Sequence, residues 1–347
     1  MRLLAILSQL IVGTSLLPGR YLPLSVRGKN LIIDTDLFSD VDDAGALLLA
    51  ATSPTVNLLA VNVNHPSSYS VLAASAILRH YGRGDVPIGA RRPLNNVTFF
   101  DAWSYSLGEF ASKVAYHYPG GSLPWGRAED ARDPIRLYRK CLSEAQDGSI
   151  TIASIGFFEN LSGLLNSTAD DYSDLTGYEL VAAKVAELVV MGGDYPSGYE
   201  FNFFGDNPQR TQHVVNTWPG RITFSGYSMG LNVSSGGRLM SDGPSSDPVR
   251  SAYLWYTYNV PRFSWDPLTL LYAMHGLDDI FEYANEYGYN QVHANGSNTW
   301  IFDEGSSDQH WLKLVMSREH AEELLDTLYL EGAAYGLTQS KVEHPDL

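Results

Sequence analysis

A carboxylate-rich turn between two apolar segments constrains the fold of this chain more than any other feature. Residues 31–33 form a short apolar run, and residues 42–52 have a small-residue helical pattern. Five carboxylates fall within the ten residues from 34 to 43: Asp34, Asp36, Asp40, Asp42 and Asp43. This order predicts a strand, a turn and a helix. Because ligands of open α/β sheets bind at the carboxyl ends of strands, we expect a ligand site here.

Such a turn requires a positive partner, because like charges packed at the end of a strand repel one another strongly. Lys29 lies before the strand, and almost no other Lys or Arg lies nearby in the sequence. A hard divalent cation is therefore the natural partner for these oxygen ligands. The alternative is a solvated acidic turn whose Asp caps the helix, but the apolar sequence on both sides argues against it.

The overall charge limits the classes of partner. The formal net charge of −16 argues against nucleic acid and anionic membranes, because both bind basic surfaces. The single cysteine, Cys141, cannot form an intramolecular disulfide. Its apolar neighbours on a predicted helix favour a buried, unreactive thiol.

Residues 1–19 have the pattern of a secretory signal peptide. Arg2 is followed by an apolar core and then by small residues, and this core is too short to predict a transmembrane span. Sequons compatible with a secreted glycoprotein begin at five positions: Asn96, Asn160, Asn166, Asn232 and Asn295. We therefore expect a secreted protein whose mature part, residues 20–347, is a single large domain.

The order of apolar runs and helical patterns predicts the fold class. The two alternate from residue 31 to residue 224, which indicates an α/β protein with an open, mainly parallel sheet flanked by helices. Residues 93–132 are aromatic, Gly-rich and irregular, and we interpret them as one long functional loop, a lid or rim. From Arg250 onward, Tyr and Trp are frequent, and we expect helices that cover one edge of the sheet.

Four segments carry a family resemblance between residues 30 and 275. They are the acidic run, the segment 154–160 (Ser-Ile-Gly-Phe-Phe-Glu-Asn), the pair Val-Met-Gly-Gly at 190–193 with Glu-Phe-Asn at 200–202, and Trp-Asp-Pro-Leu at 265–268. In this order they resemble motifs of the inosine-uridine-preferring nucleoside hydrolases. Each segment alone is a weak signal, but four in the expected order are a strong one. The resemblance implies the fold of that family and calcium-dependent hydrolysis of the N-glycosidic bond of ribonucleosides.

The resemblance also implies roles for individual residues. It assigns Ca²⁺ to the following ligands: Asp36, Asp43, Asp266 and the backbone carbonyl of Ile155. It makes Asp42 the general base that takes a proton from water, and Asp34 a support for the loop. Two residues are inserted between Asp36 and Asp42 relative to the commonest family spacing, so Asp40 is an extra carboxylate. Asp40 remains an alternative base, or a helix cap.

Cleavage of an N-glycosidic bond passes through an oxocarbenium-like sugar, so the site must also hold the ribose and the base. The candidate substrate-binding residues are Asn64, Met191, Glu200, Asn202 and Trp265. Glu200 and Asn202 occupy alternate positions and would face one side of an extended segment. Asn64 can be read instead as a turn residue, in which case Asn62 could bind the ribose in its place. Met191 fits a core position nearly as well as a pocket position.

The sequence departs from the family pattern in two places. Trp265 stands where the family often has a His that acts as the leaving-group acid. An indole cannot supply that proton, although it can stack on a base. Residues 194–199 replace an Asn-rich segment, so the 5′ end of the substrate would be held differently.

Two other functions share parts of this sequence pattern. Phosphatases of the haloacid dehalogenase type also begin with Asp-x-Asp after a strand, but Phe38 stands where they need Thr or Val, and their later Lys is not obvious. A non-catalytic calcium-binding or sugar-binding protein on the same scaffold remains open. The expected partner is a small-molecule nucleoside. The sequence leaves open which nucleobase is preferred and whether the chain forms a homo-oligomer.

Overall fold

The computed structural model describes residues 28–99 and 108–343. The predicted signal peptide, residues 1–19, lies outside the described residues, as do residues 100–107 of the long predicted loop. Within the described ranges, no helix combines the length and the apolar character that crossing a membrane requires.

The described residues form strands in three sheets. The strands are β1 Lys29–Thr35, β2 Val56–Val63, β3 Ile88–Ala90, β4 Ile150–Ile155, β5 Val185–Met191, β6 Ser197–Tyr199, β7 Ile222–Ser225, β8 Ser234–Ser235, β9 Arg262–Phe263, β10 Phe281–Tyr283, β11 Tyr289–Val292, β12 Ser297–Ile301 and β13 Gln309–Leu314. The main sheet has eight strands in the order β10-β13-β7-β5-β4-β1-β2-β3, and only β10 runs antiparallel to its neighbour.

Helices connect most of these strands. They are α1 Asp42–Thr52, α2 Ser68–His80, α3 Ala111–His117, α4 Pro134–Glu144, α5 Glu159–Leu165, α6 Gly177–Lys184, α7 Phe201–Phe204, α8 Pro208–Thr217, α9 Tyr227–Gly230, α10 Gly237–Asp242, α11 Pro248–Thr257, α12 Trp265–His275 and α13 Arg318–Glu343. The predicted α/β class with a mainly parallel sheet and flanking helices is confirmed.

Helices cover both faces of the main sheet and enclose two apolar cores. One core includes side chains of α1, α2, α11, α12 and α13, and the other includes those of α4, α5, α6 and α8. The small residues of α1 permit close packing: a Cβ on Gly45 would lie 2.1 Å from the hydroxyl oxygen of Tyr329 on α13. The small-residue pattern that predicts α1 therefore also allows α13 to pack closely against α1.

The order of the strands creates a switch point. From β1 the chain proceeds to β2 and β3 on one side, and then returns to β4 on the other side of β1. Crevices at the carboxyl ends of strands on either side of such a reversal are the usual ligand sites of open α/β sheets. The acidic turn leaves β1 at this point.

Two predictions about irregular or C-terminal segments were wrong. The described part of residues 93–132 contains α3 and a 3₁₀ turn at Ala128–Asp130 rather than one continuous loop. Beyond Arg250, strands β10–β13 accompany the helices, and β11 and β12 pair as a hairpin that continues to β6. The apolar alternation is weak there because Asn290 and Asn298 occupy buried positions of the hairpin.

Cys141 lies on α4 and is half-buried rather than fully buried. Burial raises the pKa of its thiol to about 11, so the thiolate required for nucleophilic attack is scarce at neutral pH. This agrees with the expected unreactive thiol.

Candidate active site

The candidate site is built where β1 and β4 end side by side. Thr35 pairs with Ile155 in the parallel register, and the acidic turn and the 154–160 segment leave the sheet together. A Cβ on Gly156 would lie 2.5 Å from the backbone nitrogen of Asp36. Only glycine therefore allows the two segments to approach this closely.

The acidic turn folds back on itself through its own carboxylates. Leu37 has a φ of +43°, a left-handed conformation that is costly for a branched side chain and is often found at functional sites. Its N–H donates to Oδ1 of Asp43 at 3.3 Å, and the hydroxyl of Thr35 donates to the same oxygen. The hydroxyl of Ser39 donates to Asp36 at 2.9 Å. The turn thus fixes both carboxylates before any ligand binds.

Three buried carboxylates converge from two distant parts of the sequence. Oxygens of Asp42, Asp43 and Asp266 lie within 4.8 Å of one another. Asp36 lies close enough to Asp43 for the two carboxylates to interact. Burial, followed by repulsion between neighbouring carboxylates, raises the pKa of Asp42, Asp43 and Asp266 well above the usual range of aspartate.

Among the described residues, no Lys or Arg forms an ion pair with Asp42, Asp43 or Asp266; Arg262, the nearby cation, pairs with Asp40. Burial raises the pKa of Asp36 as well, to about 6. Carboxylates held this close and out of water ionise only with a positive partner, and a set of hard oxygen donors suits Ca²⁺. The fourth expected ligand, Ile155, lines the same cavity.

The start of α12 delivers Asp266 to the turn. The backbone N–H of Asp266 donates to Oδ2 of Asp42 at 3.1 Å. The free N–H groups at a helix start favour negative charge, so the first turn of α12 both contributes one carboxylate and orients another. Asp42 and Asp43 in turn occupy the first turn of α1.

Asp40 is neither a free carboxylate nor the cap of α1. Nε of Arg262 donates to both of its oxygens at 3.0 Å, and the backbone N–H of Val41 donates to Oδ1 at 2.6 Å. Val41 is the residue that precedes α1, and it makes no capping bond with its side chain. With both oxygens engaged, Asp40 is a weaker candidate for the base than Asp42.

Asp34 lies beneath the turn in a hydrogen-bonded network. It accepts hydrogen bonds from the Tyr138 hydroxyl at 2.7 Å, from Asn64 Nδ2 at 2.6 Å and from Asn160 Nδ2 at 3.4 Å. Burial raises its pKa to about 7. The network joins β1, β2, α4 and α5, which is the arrangement expected of a supporting residue. It also buries the amide of Asn160, so this sequon is closed to a glycan.

Asn64 lies behind the site rather than in it. Its side chain is fully buried, donates to Asp34, and accepts from the backbone N–H of Phe157 at 3.0 Å. Both ends of the amide are engaged within the protein, and Asn64 is not among the residues that line the cavity. Asn62, the alternative to Asn64 for this role, is also fully buried and pairs with Asp34 across β1 and β2.

The carboxylates form one wall of a cavity of about 480 Å³. Its other walls are rich in aromatic residues, which come from four separate stretches of the described chain. The described lining residues are Asp36, Ser39, Asp40, Asp42, Asp43, Phe99, Ile155, Met191, Tyr199, Glu200, Phe201, Asn202, Phe204, Tyr227, Arg262, Phe263, Trp265 and Asp266. One side of this space suits a polar, hydroxyl-bearing group, and the other suits a flat ring.

Glu200 and Asn202 both line the cavity, but the expected extended segment is absent. Glu200 precedes the short helix α7, and Asn202 lies within it. Glu200 accepts from the backbone N–H groups of Gly193 and Asn202 at 3.1 and 2.9 Å, while burial raises its pKa to about 7. Nδ2 of Asn202 donates to the carbonyl of Met191 at 3.3 Å. The helix start, rather than strand alternation, directs the two side chains to the cavity.

Trp265 lines the cavity with its indole held on several sides. Its Nε1 donates to the carbonyl of Tyr227 at 2.8 Å, so this N–H is engaged within the protein. The Tyr227 ring stacks with the indole at 5.6 Å and 19°. The carbon CZ of the Arg262 guanidinium lies 5.3 Å from the ring centroid.

Several lining residues were not among those singled out in the sequence. Arg262 and Phe263 lie shortly before Trp265, and Tyr227 and Tyr199 come from other connections. An aromatic residue at a strand end has no distinctive spacing, so these rings carry no sequence signal. Arg262 does have one, because an inserted carboxylate such as Asp40 requires a basic partner.

A family comparison decides the identity of this site. The family model for inosine-uridine preferring nucleoside hydrolase matches residues 31–297. The chain belongs to this family. The matched range contains the acidic turn, the β4 segment, α7 and the start of α12. Membership in the nucleoside hydrolase family places the chain among hydrolases that act on N-glycosyl bonds, and it sets aside the phosphatase alternative.

Individual relatives agree with the nucleoside hydrolase family. The chain is 24% identical to "Probable uridine nucleosidase 2" of Arabidopsis thaliana over 294 residues, covering 77% of this chain and 83% of that protein. Its fold is similar to that of a plant nucleoside hydrolase, with a TM-score of 0.63, 20% identity, and coverage of 87% and 99% of the two chains. An inosine-guanosine nucleoside hydrolase gives a TM-score of 0.65, 19% identity, and coverage of 87% and 98%.

Proposed function

We propose that this protein is a calcium-dependent nucleoside hydrolase that cleaves the N-glycosidic bond of ribonucleosides to release ribose and the nucleobase. The observation that carries this proposal is the convergence of Asp42, Asp43 and Asp266 on one wall of an aromatic cavity. The carboxylates can accept hydrogen bonds from a water molecule and from the ribose diol, and the aromatic rings can stack on a nucleobase.

The donor set fits a hard divalent cation. Asp36, Asp43, Asp266 and the carbonyl of Ile155 would hold it, since all four residues line the cavity and offer oxygen ligands. When bound, Ca²⁺ lowers the pKa of a coordinated water and orients sugar hydroxyls.

The chain's own residues supply the remaining functions. Asp42 is placed to accept the proton of the attacking water, because its carboxylate lies in the cluster and is oriented by the N–H of Asp266. Glu200 and Asn202 are placed to bind ribose hydroxyls from the α7 side of the cavity. Met191 lies beneath Asn202 as part of the floor.

The stoichiometry of the products tests this proposal. Wild-type protein incubated with uridine or inosine should release free nucleobase and reducing sugar in equal amounts, as measured by chromatography and a reducing-sugar assay. Release of phosphate from a nucleotide without release of base, or binding without any product, would contradict it. The second outcome would instead favour the non-catalytic sugar-binding alternative.

Replacement of Trp265 tests the nucleobase side of the cavity. We expect Trp265→Phe to retain most activity, and Trp265→Ala to weaken nucleoside binding by about 1–3 kcal/mol, the usual worth of a stacked base. Trp265→His should raise turnover of purine nucleosides by supplying an acid with a pKa near neutrality. Kinetic constants for inosine and uridine measure all three effects. Unchanged constants for Trp265→Ala on both substrates would remove this residue from the site.

Removal of the Tyr138 hydroxyl tests the support beneath the acidic turn. Tyr138→Phe leaves one oxygen of buried Asp34 without its partner, so the free energy of unfolding should fall by about 1–3 kcal/mol, with a loss of turnover. Tyr81→Phe is a matched control, because the Tyr81 hydroxyl donates to buried Asp247 at the same 2.7 Å outside the cavity lining. Urea unfolding and ribose release are measured for both. Equal losses of turnover would show general destabilisation instead of a role in supporting the site.

We also propose that the protein is secreted and glycosylated. Four of the five sequons, at Asn96, Asn166, Asn232 and Asn295, begin at exposed residues, whereas Asn160 is buried. Mass spectrometry of protein recovered from the medium should find glycans at exposed sequons only. A glycan on Asn160, or retention of the whole protein inside the cell, would contradict this.

A further inference from the structure

Arg262 stands out among the residues that line the cavity. The described lining residues include five aspartates and one glutamate, and Arg262 is the single basic residue among them. Its side chain is 14% exposed. A guanidinium remains charged at every physiological pH. Desolvation of this cation is offset by the ion pair with Asp40, the carboxylate that the inserted turn adds.

Arg262 lies where the carboxylates meet the aromatic side of the cavity, since it pairs with Asp40 and also contacts the rings. Its guanidinium carbon is 5.3 Å from the centroid of Trp265 and 5.9 Å from that of Phe263. The bidentate contact with Asp40 fixes the plane of the guanidinium. The fork that binds Asp40 uses Nε and Nη2, and among the described residues no hydrogen bond from Nη1 is seen, so its N–H donors can face a ligand.

Among the described residues of this region, neither a His nor a Lys is available to protonate the leaving base. The indole of Trp265 cannot donate a proton in catalysis, and its N–H is already engaged with Tyr227. The described lining residues include no His or Lys. A base that leaves without being protonated carries negative charge, and fixed positive charge at that point lowers the barrier.

We propose that Arg262 is a catalytic residue that stabilises the departing nucleobase as an anion, with Asp40 as the residue that positions it. The inference rests on the proposed nucleoside hydrolase function. The bond between C1′ and the base nitrogen breaks, and its electron pair leaves with the base. The water oxygen bonds to C1′, while its proton passes to Asp42. The base is held by the guanidinium N–H groups and takes a proton from solvent after it departs.

A pair of substrates with different leaving groups tests this role. The uracil anion is a poor leaving group that must be stabilised as it departs from uridine. In contrast, p-nitrophenyl β-ribofuranoside releases a weakly basic phenolate that leaves without such stabilisation. Arg262→Gln should lower kcat on uridine roughly a hundredfold, the scale for loss of one preorganised donor. It should change kcat on the phenyl riboside less than about threefold, since the attack on C1′ is unaltered. Arg221→Gln is the matched control, because Arg221 is also ion-paired, with Glu187, but lies outside the cavity lining. Arg221→Gln should leave kcat unchanged on both substrates.

The outcomes separate the two proposals. Equal losses of kcat on both substrates, or no loss on either, would overturn the role of Arg262 while leaving the hydrolase function standing. A wild-type protein inactive on both substrates would overturn the function itself. If Arg262→Gln does not fold, as judged by circular dichroism, the same two substrates are compared with Arg262→Lys. Its ammonium keeps the charge beside Asp40 but lacks the planar fork of the guanidinium. The kcat on uridine should therefore fall more than the kcat on the phenyl riboside. Equal slowing would again overturn the role.

Discussion

Asp43→Ala should abolish both metal binding and turnover. The carboxylate of Asp43 lies at the centre of the cluster, next to Asp36 and within 4.8 Å of Asp42 and Asp266. Its loss removes a ligand that the other carboxylates cannot replace. It also removes the acceptor of the Leu37 N–H, so the turn should loosen. Elemental analysis and ribose release measure the two effects in one preparation.

Two further variants separate loss of the metal from loss of the fold. Asp43→Asn retains an acceptor for Thr35 and Leu37 and should keep the melting temperature of metal-free wild-type protein, yet it should still lose metal and activity. Asp40→Asn changes a carboxylate of the same turn that pairs with Arg262, and it should keep the metal. Full metal occupancy in Asp43→Asn would overturn the ligand assignment.

Asp42→Asn should retain the metal but lower turnover by roughly a hundredfold or more, the usual scale for loss of a general base. An amide cannot accept the proton of water, although it can still accept the N–H of Asp266 through its carbonyl. The two effects are therefore separable. Single-turnover kinetics on uridine, with metal content measured in parallel, detect the loss at the chemical step.

Asp40→Asn is the matched variant for this measurement, because Asp40 is the alternative base. Its oxygens are held by Arg262 and Val41, so we expect a smaller loss than for Asp42→Asn. A mild effect of Asp42→Asn beside a crippling effect of Asp40→Asn would show that the register chosen across the two-residue insertion is wrong.

The sequence predicted the part of the fold that positions the acidic turn. The predicted helix at residues 42–52 coincides with α1, and the predicted strand at 31–33 is the centre of β1. Both follow from strong local patterns, an apolar run and a small-residue helix. Asp266 could be placed in the site only through the family resemblance, because no local pattern links residues 42 and 266. The contact arises when α12 packs against α1.

Other features depended on tertiary contacts that local patterns do not encode. The β11–β12 hairpin was missed because its buried face carries Asn290 and Asn298. Nδ2 of Asn298 donates to Oδ1 of Asn290 at 3.1 Å and to the carbonyl of Asp194 at 2.8 Å. These amides are buried because they bond to each other and to the loop before Glu200. The role of Asn64 also depends on tertiary contacts. It follows a strand and is polar, which suggests a ligand contact, but the sequence does not reveal that its amide donates to buried Asp34.

The central claim is a hydrolase whose activity depends on an ion held by the buried carboxylates, and free ribose is its most direct measure. A panel of nucleosides is incubated with the full protein in calcium buffer, after treatment with a chelator, and after calcium is restored. The account predicts ribose release that the chelator abolishes and added Ca²⁺ recovers. Undiminished release from protein shown by elemental analysis to be free of metal, or binding of nucleosides without any ribose, would contradict it.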